Sequence, residues 1–588
     1  MHTRTKIICT LGPATSSYEK IRELAEAGMD VARLNFSHGS HEEHLERIKH
    51  LRRVREELNK PLAIMVDLRG PKIRVGEMKN GGVELKAKQR LKIVEGVVGD
   101  EKQISITPIE VLDSVNVGMK LLFNDGYIIS EVVEKHDREI VVEIQNSGFL
   151  SSRKGVNIPK AQLHLPALTD DDIRDLKFAC KHNVELVAAS FIRSAENVLW
   201  VKNLIAKEGK HDILVVAKIE THQGVENFDS IVQVADGIMV ARGDMGVEMD
   251  LGEVPRLQKM MIRKCYEACK PVVTATQMLE SMIQNPRPTR AEASDVANAI
   301  YDGTSSVMLS AETAMGKYPV ETVQQMKSII HATENDFNYR EFFHERTKKE
   351  IHNVSAAVAA AAVKTAYSAN AKAIIAFTAT GLTARLVSRF RPEMPIIALT
   401  PDERCYHQLA FNWGVKPIYK KGCLNAKESF TAATEFGLEK GLVHFGDLVV
   451  ITAGSLFGKK GSTNMMIVES IGDVLVRGQK GIGPKVEGKI TFCLSPEEQN
   501  PESAQGALIV IPKCDNSYLP IMKHAAGVIL ENHTQDIASE KYALLVAKTF
   551  EISVITRAEG ARETLREGDL VTLDPGRGLV YGEGDKRK

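Results

Sequence analysis

The sequence predicts an α/β protein built on a (β/α)8 barrel, with a β-barrel lid domain inserted into it and an α/β domain behind it. Three observations carry that prediction. Short runs rich in Val, Ile, Leu and Ala alternate with longer amphipathic, charged stretches, as strands alternate with helices around a parallel sheet. Eight such runs can be counted, three before a β-rich interruption and five after it. Each ends on polar or charged residues, while the run interiors are nearly free of charge, which describes a polar site on a packed core.

Composition bounds the rest. The chain has 588 residues, 43% apolar and 26% charged, an ordinary globular balance with room for several domains that excludes disorder. Lysine plus arginine number 76 and aspartate plus glutamate 76, so the formal charge is zero. General nucleic-acid binding needs a cationic excess and is not expected, and any anion site has to be built locally. The eight cysteines, at 9, 180, 265, 269, 405, 423, 493 and 514, form no CxxC pair and read as reduced thiols of a cytoplasmic protein. The amino-terminal residues lack an apolar run of signal-peptide length, and Val354 to Val363 is too short to span a bilayer, so no membrane partner is expected.

Taken in order, the strands are expected near Ile7 to Leu11, Asp30 to Asn35, Leu62 to Asp67, Glu185 to Ser190, Leu214 to Ile219, Ile238 to Arg242, Pro271 to Thr276 and Ser305 to Ser310. Their carboxyl ends carry Thr10; Arg33 with Asn35 and Ser37; Asp67; Ser190; Lys218 with Glu220; Asp244; Thr276; and Ser310. In a barrel of this kind that rim is the active site. Ser16 or Ser17 caps a helix with Ile21, Leu24 and Ala25 at helical spacing, ended by Gly28, and Thr289 to Ala299 reads as another. From about Pro71 to Pro166 the pattern turns to strand alternation and tight turns such as Asn124-Asp125-Gly126, a β-rich insertion hanging over the rim as a lid. A charged stretch from Tyr339 to Glu350 precedes a second α/β unit from about His352 to Asp473. Its strands are expected at Ala373 to Phe377, Ile396 to Leu399, Lys416 to Tyr419, Leu448 to Ile451 and Asn464 to Glu469. A glycine-rich joint, Arg477 to Gly488, leads to a last domain. The expected domains are thus 1–70 with 167–350, 71–166, 351–475 and 476–588.

Glu220 and Asp244 are the candidate ligands for a divalent ion, since hard cations take carboxylate oxygens and leave positions open for substrate oxygens. Lys218 lies two residues before Glu220, on the same side of an extended segment, and a cation beside a metal ligand suits a developing negative charge. The plainer alternative is a set of structural salt bridges. Arg33 and Arg74 could clamp a phosphate with their planar forks of donors, although a lone arginine more often faces solvent. Arg242-Gly243-Asp244-Met245-Gly246 lets backbone approach a ligand closely. The hydroxyls of Thr276 and Ser310 could orient water or pass a proton, or simply bond backbone. Thr378-Ala-Thr-Gly-Leu-Thr383 follows a strand and opens a helix carrying Arg385 and Arg389, a pattern that could hold a phosphate or be only a turn.

The chain closely resembles the pyruvate kinase family. The matching runs include Lys6-Ile-Ile-Cys-Thr-Leu-Gly-Pro13, Ala32-Arg-Leu-Asn-Phe-Ser-His-Gly39, Asp67-Leu-Arg-Gly-Pro-Lys-Ile-Arg74, Lys154-Gly-Val-Asn-Ile-Pro159, Ala217-Lys-Ile-Glu220, Met239-Val-Ala-Arg-Gly-Asp244 and Ala275-Thr-Gln-Met-Leu-Glu-Ser-Met282. They occur in family order across about the first 475 residues. The resemblance implies phosphoryl transfer from phosphoenolpyruvate to ADP, the final step of glycolysis, with Mg2+ or Mn2+ on Glu220 and Asp244. It implies catalytic roles for Lys218, Arg33, Thr276 and Ser310, and substrate binding by Arg33, Lys218, Gly243, Asp244 and Thr276. It implies nucleotide contacts from Thr10, Pro13, Asn35, Arg74, Lys154 and Asp125. Asn35, Ser37, Asp67 and the carbonyl of Leu68 match the family's potassium pocket. Lys72 stands where potassium-dependent members carry glutamate, so K+ is expected to be dispensable, the ammonium supplying the charge. Ala311 and Met315 also depart from the family pattern and affect only substrate-pocket detail.

Thr378, Thr380, Gly381 and Thr383 match the family's effector phosphate site, which implies activation by a phosphorylated metabolite such as AMP, ribose 5-phosphate or a sugar phosphate, acting through a homotetramer. The last domain is similar to the swivelling phosphohistidine domain of enzymes that use phosphoenolpyruvate. Its Thr-Ser-His run is absent, with Lys541-Tyr542 about where serine and histidine would align and His533 the nearest histidine, so a packing or regulatory role is expected. Two rival readings are weighed against this one. A metal-dependent aldolase or lyase would share paired acids on a barrel but has no use for the lid or the Ala275 to Met282 run. A catalytically silent phosphate sensor would need only the Thr378 loop, and the intact Lys218, Glu220, Asp244 and Thr276 speak against silence.

Overall fold

The computed structural model describes residues 3–348, 353–422, 426–454, 463–497 and 501–582; Cys423, Glu350 and His352 lie outside the described residues. Eight parallel strands close a barrel: β1 (Lys6–Leu11), β2 (Val31–Asn35), β3 (Ala63–Asp67), β4 (Leu186–Ala189), β5 (Leu214–Ile219), β6 (Gly237–Ala241), β7 (Val272–Ala275) and β8 (Ser306–Leu309). β1 closes the ring by pairing with β8 (Ile8 beside Met308) and with β2 (Cys9 beside Ala32). All eight fall within one residue of the ends expected from the sequence. Successive side chains point to opposite faces of a strand, so each run serves two cores. Ile8, Val31, Met65, Val216, Met239 and Met308 fill the barrel, whereas Ile7, Leu34, Ile64, Val66 and Val215 pack outward on the helices.

The helices start where the capping residues demand. Ser17 accepts from the Lys20 amide to begin Tyr18–Ala27, and Gly28 takes a φ of 144° to end it. Thr289 and Glu292 form a reciprocal capping box on Arg290–Tyr301. The charged stretch after the barrel forms the helix Tyr339–Thr347, with Phe343 buried.

Between β3 and β4 the chain builds the β-rich insertion. Its eight-stranded sheet begins at Gln103–Ile104 and ends at Ile106–Thr107, strands that Ser105 alone separates, so the sheet curls back toward itself. Leu85, Leu91, Ile93, Phe123 and Val142 belong to its separate core. Asn124 and Asp125 both adopt left-handed φ, 52° and 55°, in the tight turn joining Lys120–Phe123 to Ile128–His136. Gly70 makes the exit toward the insertion feasible, since its φ is 74° and a Cβ there would lie 2.8 Å from Ser190.

By contacts the chain divides into two compact units, Met1–Ala361 with Ala376–Asn425 and Ala453–Met465, and Ala362–Ile375 with Ala426–Thr452 and Met466–Lys588. In the first, Ile396–Thr400 pairs in parallel with Val415–Tyr419. In the second, Val474–Arg477, Lys480–Ile482 and Val486–Phe492 join a sheet with Leu508–Ile511, Gly527–Leu530, Ser553–Thr556, Leu570–Asp574 and Leu579–Gly582. This corrects the reading of Arg477 to Gly488 as a joint. A Cβ on Gly481 would lie 2.2 Å from the Pro575 carbonyl oxygen, so glycine there permits close backbone packing and not slack.

Candidate active site at the carboxyl rim of the barrel

Asp67 ends β3 fully buried and is the anchor of the rim. Its Oδ2 receives Arg33 Nε at 2.6 Å and its Oδ1 receives Lys218 Nζ at 3.1 Å. Burial favours the neutral acid, but the two cations overcome it and hold the carboxyl below its ordinary range. Arg33 is oriented a second time, by donating from Nη1 to Thr10 Oγ1 at 2.9 Å, and Thr10 in turn donates to the Leu309 carbonyl at 2.8 Å. Lys218 Nζ also donates to Ser190 Oγ at 2.6 Å and lies 3.1 Å from Glu220 Oε1. Burial works against its charge, yet Asp67 and Glu220 raise its pKa above the ordinary value and keep it an ammonium.

Glu220 is 1% exposed, and burial pushes its carboxyl upward against the pull of Lys218. Its Oε2 accepts the Phe191 amide at 2.6 Å, an amide aimed inward because Phe191 has a φ of 55°. Asp244, which the sequence places at a strand end, stands instead in the first turn of a short helix, Arg242–Glu248, because β6 ends at Ala241. The Lys72 ammonium lies 3.3 Å from Asp244 Oδ1 and 5.1 Å from the Phe191 ring centroid. Among the described residues no three acid, histidine or cysteine side chains gather as a metal cluster. The rim offers two hard oxygen donors, Glu220 and Asp244, the first buried with its carboxyl raised by desolvation and by its acidic neighbour. That donor set fits a divalent ion which completes its shell with substrate oxygens and water.

Asn35, Asp67 and Leu68, which the resemblance assigns to a potassium pocket, are bonded within the protein. The Asn35 side-chain oxygen accepts the Ser37 amide at 3.2 Å, the Leu68 carbonyl accepts Ser190 Oγ at 2.7 Å, and Asp67 is engaged by Arg33 and Lys218. These oxygens have partners within the protein, and the ammonium of Lys72 lies on Asp244 rather than on them.

Thr276 is strained, with a φ of 69° followed by 54° at Gln277. Its Oγ1 accepts the Gly243 amide at 2.8 Å, and its carbonyl accepts Arg242 Nη2 at 2.7 Å while Arg242 pairs with Asp295 at 2.7 Å. Ser310 donates its amide to Glu312 Oε2 at 2.7 Å. Thr10 is buried under Arg33, whereas Pro13 is exposed in the turn after β1. On the insertion, Arg74 donates to the Arg153 carbonyl at 3.0 Å, with Lys154 exposed beside it. Asp125 joins Lys72, Asn157, Arg193, Asp244 and Glu248 in lining a cleft of about 520 Å³ between the insertion and the rim. Outside the rim, Thr378 and Thr383 are buried, Thr383 shares a 2.7 Å hydrogen bond with the Thr463 hydroxyl, Gly381 has a φ of 78°, and the Thr380 carbonyl accepts Arg385 Nη1 at 3.1 Å.

Three contributors were not singled out from the sequence. Ser190, there only one of the rim hydroxyls, bridges Lys218 to the Leu68 carbonyl. Arg193 is buried, brought down to about 10 by burial, and donates at 3.1 Å to the carbonyl of Pro166, where the insertion returns to the barrel. Asn157 Nδ2 donates to Glu248 Oε1 at 2.7 Å, tying the insertion to the helix that bears Asp244, and burial pushes Glu248 up to about 7. The spacing of Asp244 and Glu248, four residues on one helix face, was the signal available for the last.

Known proteins match this arrangement along the whole chain. The family model described as pyruvate kinase, barrel domain, matches residues 2–323, the pyruvate kinase alpha/beta domain 356–469, and the mobile domain of PEP-utilising enzymes 503–578. A pyruvate kinase of Geobacillus stearothermophilus is 43% identical over 585 residues, 99% of both chains, and one of Bacillus licheniformis 42% identical over 98% of both. A crystal structure of a pyruvate kinase from Cryptosporidium parvum superposes with a TM-score of 0.77 at 38% identity, covering 80% of this chain and 96% of that one. With full-length relatives, a closed eight-stranded barrel and its lid in agreement, the chain belongs to the pyruvate kinase family of phosphotransferases and carries a PEP-utilising mobile domain near its carboxyl end.

Proposed function

We propose that this rim transfers the phosphoryl group of phosphoenolpyruvate to ADP, giving pyruvate and ATP. The observation that carries the reading is the buried Lys218 ammonium, held by Asp67, Ser190 and Glu220 and acted on by a third carboxylate, Asp244. Both reactants are polyanions, so catalysis is mostly neutralisation and alignment in a site closed against water. Glu220 and Asp244 would hold Mg2+ or Mn2+, which would supply positive charge to the anionic substrates. Arg33, fixed by Asp67 and Thr10, receives the phosphate; the Gly243 and Asp244 backbone approaches the substrate carboxylate. The bond from phosphorus to the enol oxygen breaks as the bond to the terminal ADP oxygen forms. Lys218 stabilises the transferring group and the enolate left behind. The enolate carbon then takes a proton from the face where Thr276 and Ser310 lie. Arg74, Lys154 and Asp125 meet the nucleotide from the lid, with Thr10, Pro13 and Asn35 on the barrel side.

The same reading places the enzyme in the cytoplasm and treats K+ as dispensable, because Lys72 supplies fixed positive charge. It assigns an activating phosphorylated metabolite to Thr378, Thr380, Gly381 and Thr383, with a homotetramer as the responding assembly. The mobile domain acts without carrying a phosphoryl group, since Lys541 and Tyr542 stand about where the serine and histidine of a phosphohistidine domain would align. A coupled pyruvate assay tests the core of this reading. Lys218→Met and Glu220→Ala should each lower kcat about a thousandfold with the circular dichroism unchanged. Wild-type rates in either folded variant would overturn it.

A further inference from the structure

At the opposite end of the barrel, where β7 and β8 begin, a cavity of about 260 Å³ is lined by Lys270, Ser305, Arg385, Arg389, Arg391 and Trp413, among others. The recess is half open, so that space includes solvent at its mouth. Its walls carry four cationic side chains and no acid. Among the described residues none of the four has a carboxylate within salt-bridge distance. The acids that act on them lie further off and are committed elsewhere. Asp236 holds Lys202 Nζ at 2.8 Å and the Val215 amide at 2.9 Å, and Glu334 accepts the amides of Arg4 at 2.9 Å and Thr5 at 2.6 Å.

The guanidinium groups have settled for weak or neutral partners. Arg391, 3% exposed, donates to the carbonyls of Ser388 and Gly303 at 2.8 Å and to Ser305 Oγ at 3.0 Å, lies 4.8 Å from the Trp413 ring centroid, and leaves its buried Nε without a partner. Arg389 Nη1 donates to the thiol of Cys269 at 2.8 Å, and Arg385 Nη1 to the Thr380 carbonyl at 3.1 Å. Burial lowers the Lys270 and Arg385 pKa values and brings Arg391 down to about 9, as for positive charge kept from water without a counter-ion. Like charges crowded into a recess are destabilising unless something neutralises them.

We infer that this cavity is a binding site for a phosphoryl anion, either inorganic phosphate or a small phosphate monoester, gripped by Arg385, Arg389, Arg391 and Lys270. Planar guanidinium forks match phosphoryl oxygens, and the Trp413 ring offers an apolar wall to an attached group. The site is separate from the catalytic rim and does not depend on the reaction assigned there. It uses the far end of the helix Leu382–Ser388, whose leading end follows the Thr378 to Thr383 loop.

The full-length protein should be titrated calorimetrically with inorganic phosphate and with glycerol 3-phosphate, and crystallised with tungstate as an electron-dense phosphate analogue. Tungstate is expected in the cavity. Arg389→Gln and Lys270→Gln should each weaken one class of binding at least tenfold, while Thr383→Ala, in the loop, leaves that class unchanged. Equal affinity for both probes identifies the free anion as the occupant, and tenfold tighter binding of the ester identifies the monoester. In phosphate-free buffer the two cavity variants should melt no lower than wild type, because each removes an unbalanced charge. An empty cavity in tungstate crystals, or wild-type phosphate binding by both variants, would overturn the site.

Discussion

Lys218 owes its charge to neighbours that its own segment does not supply. An ammonium so buried would ordinarily lose its proton, and here Asp67 from β3 and Glu220 beyond β5 reverse that tendency. Lys72 shows the same logic at the edge of the lid. It lies 3.3 Å from Asp244 and its charge also bears on Glu220, so one ammonium offsets two acids that would otherwise repel each other. Lys72→Glu adds a third acid to that pair. Its kcat in tetramethylammonium buffer is expected to fall at least about tenfold and to recover with potassium, while wild-type rates are the same in both salts. A wild-type enzyme that stalls without potassium would refute this account of Lys72.

The lid is the element whose position matters most, and two polar ties hold it. Arg193 grips the carbonyl of Pro166 where the insertion ends, and Asn157 reaches Glu248 across the cleft. Glu248 stands at about 7 in the metal-free protein, with burial the larger cause and Asp244 adding repulsion. Its pKa is raised on folding, so between about 4.5 and 7 the unfolded chain ionises while the folded one keeps its proton, and stability is lost as pH rises through that window. With metal chelated, the wild-type melting temperature should therefore fall more steeply from pH 5 to pH 8 than that of Glu248→Gln. Parallel melting curves for the two proteins would dismiss Glu248 as the titrating group.

For the whole molecule, the proposed reading puts regulation at a site outside the rim that acts through a homotetramer. The Thr378 to Thr383 loop combines buried hydroxyls with a left-handed glycine, and on the proposed reading an activating phosphate binds there. Substrate saturation by phosphoenolpyruvate should be sigmoidal, with the half-saturating concentration lowered at least about fivefold by AMP or a sugar phosphate. Thr383→Ala should abolish that response without changing the maximal rate. Saturation curves that ignore a panel of phosphorylated metabolites would sink the effector assignment.

Much of this was legible in the chain itself, because strand and helix periods are local. The eight barrel strands, the Ser17 and Thr289 caps and the Asn124-Asp125-Gly126 turn each follow from a few neighbouring residues. So did the rim, since the residues ending successive parallel strands must meet on one face. What failed was read from composition alone: the glycines of Arg477 to Gly488 looked like slack and proved to be close packing inside a sheet. The cationic cavity could not be seen at all, because Lys270 and Arg391 are more than a hundred residues apart in sequence and their missing counter-ions are a property of space. By itself the sequence determined the barrel, its lid and the polar character of its rim, which depend on hydrophobic period and on where each strand stops. Tertiary structure alone decided which charges neutralise one another, because Coulomb energy and desolvation depend on distance and burial across the fold and not on separation along the chain.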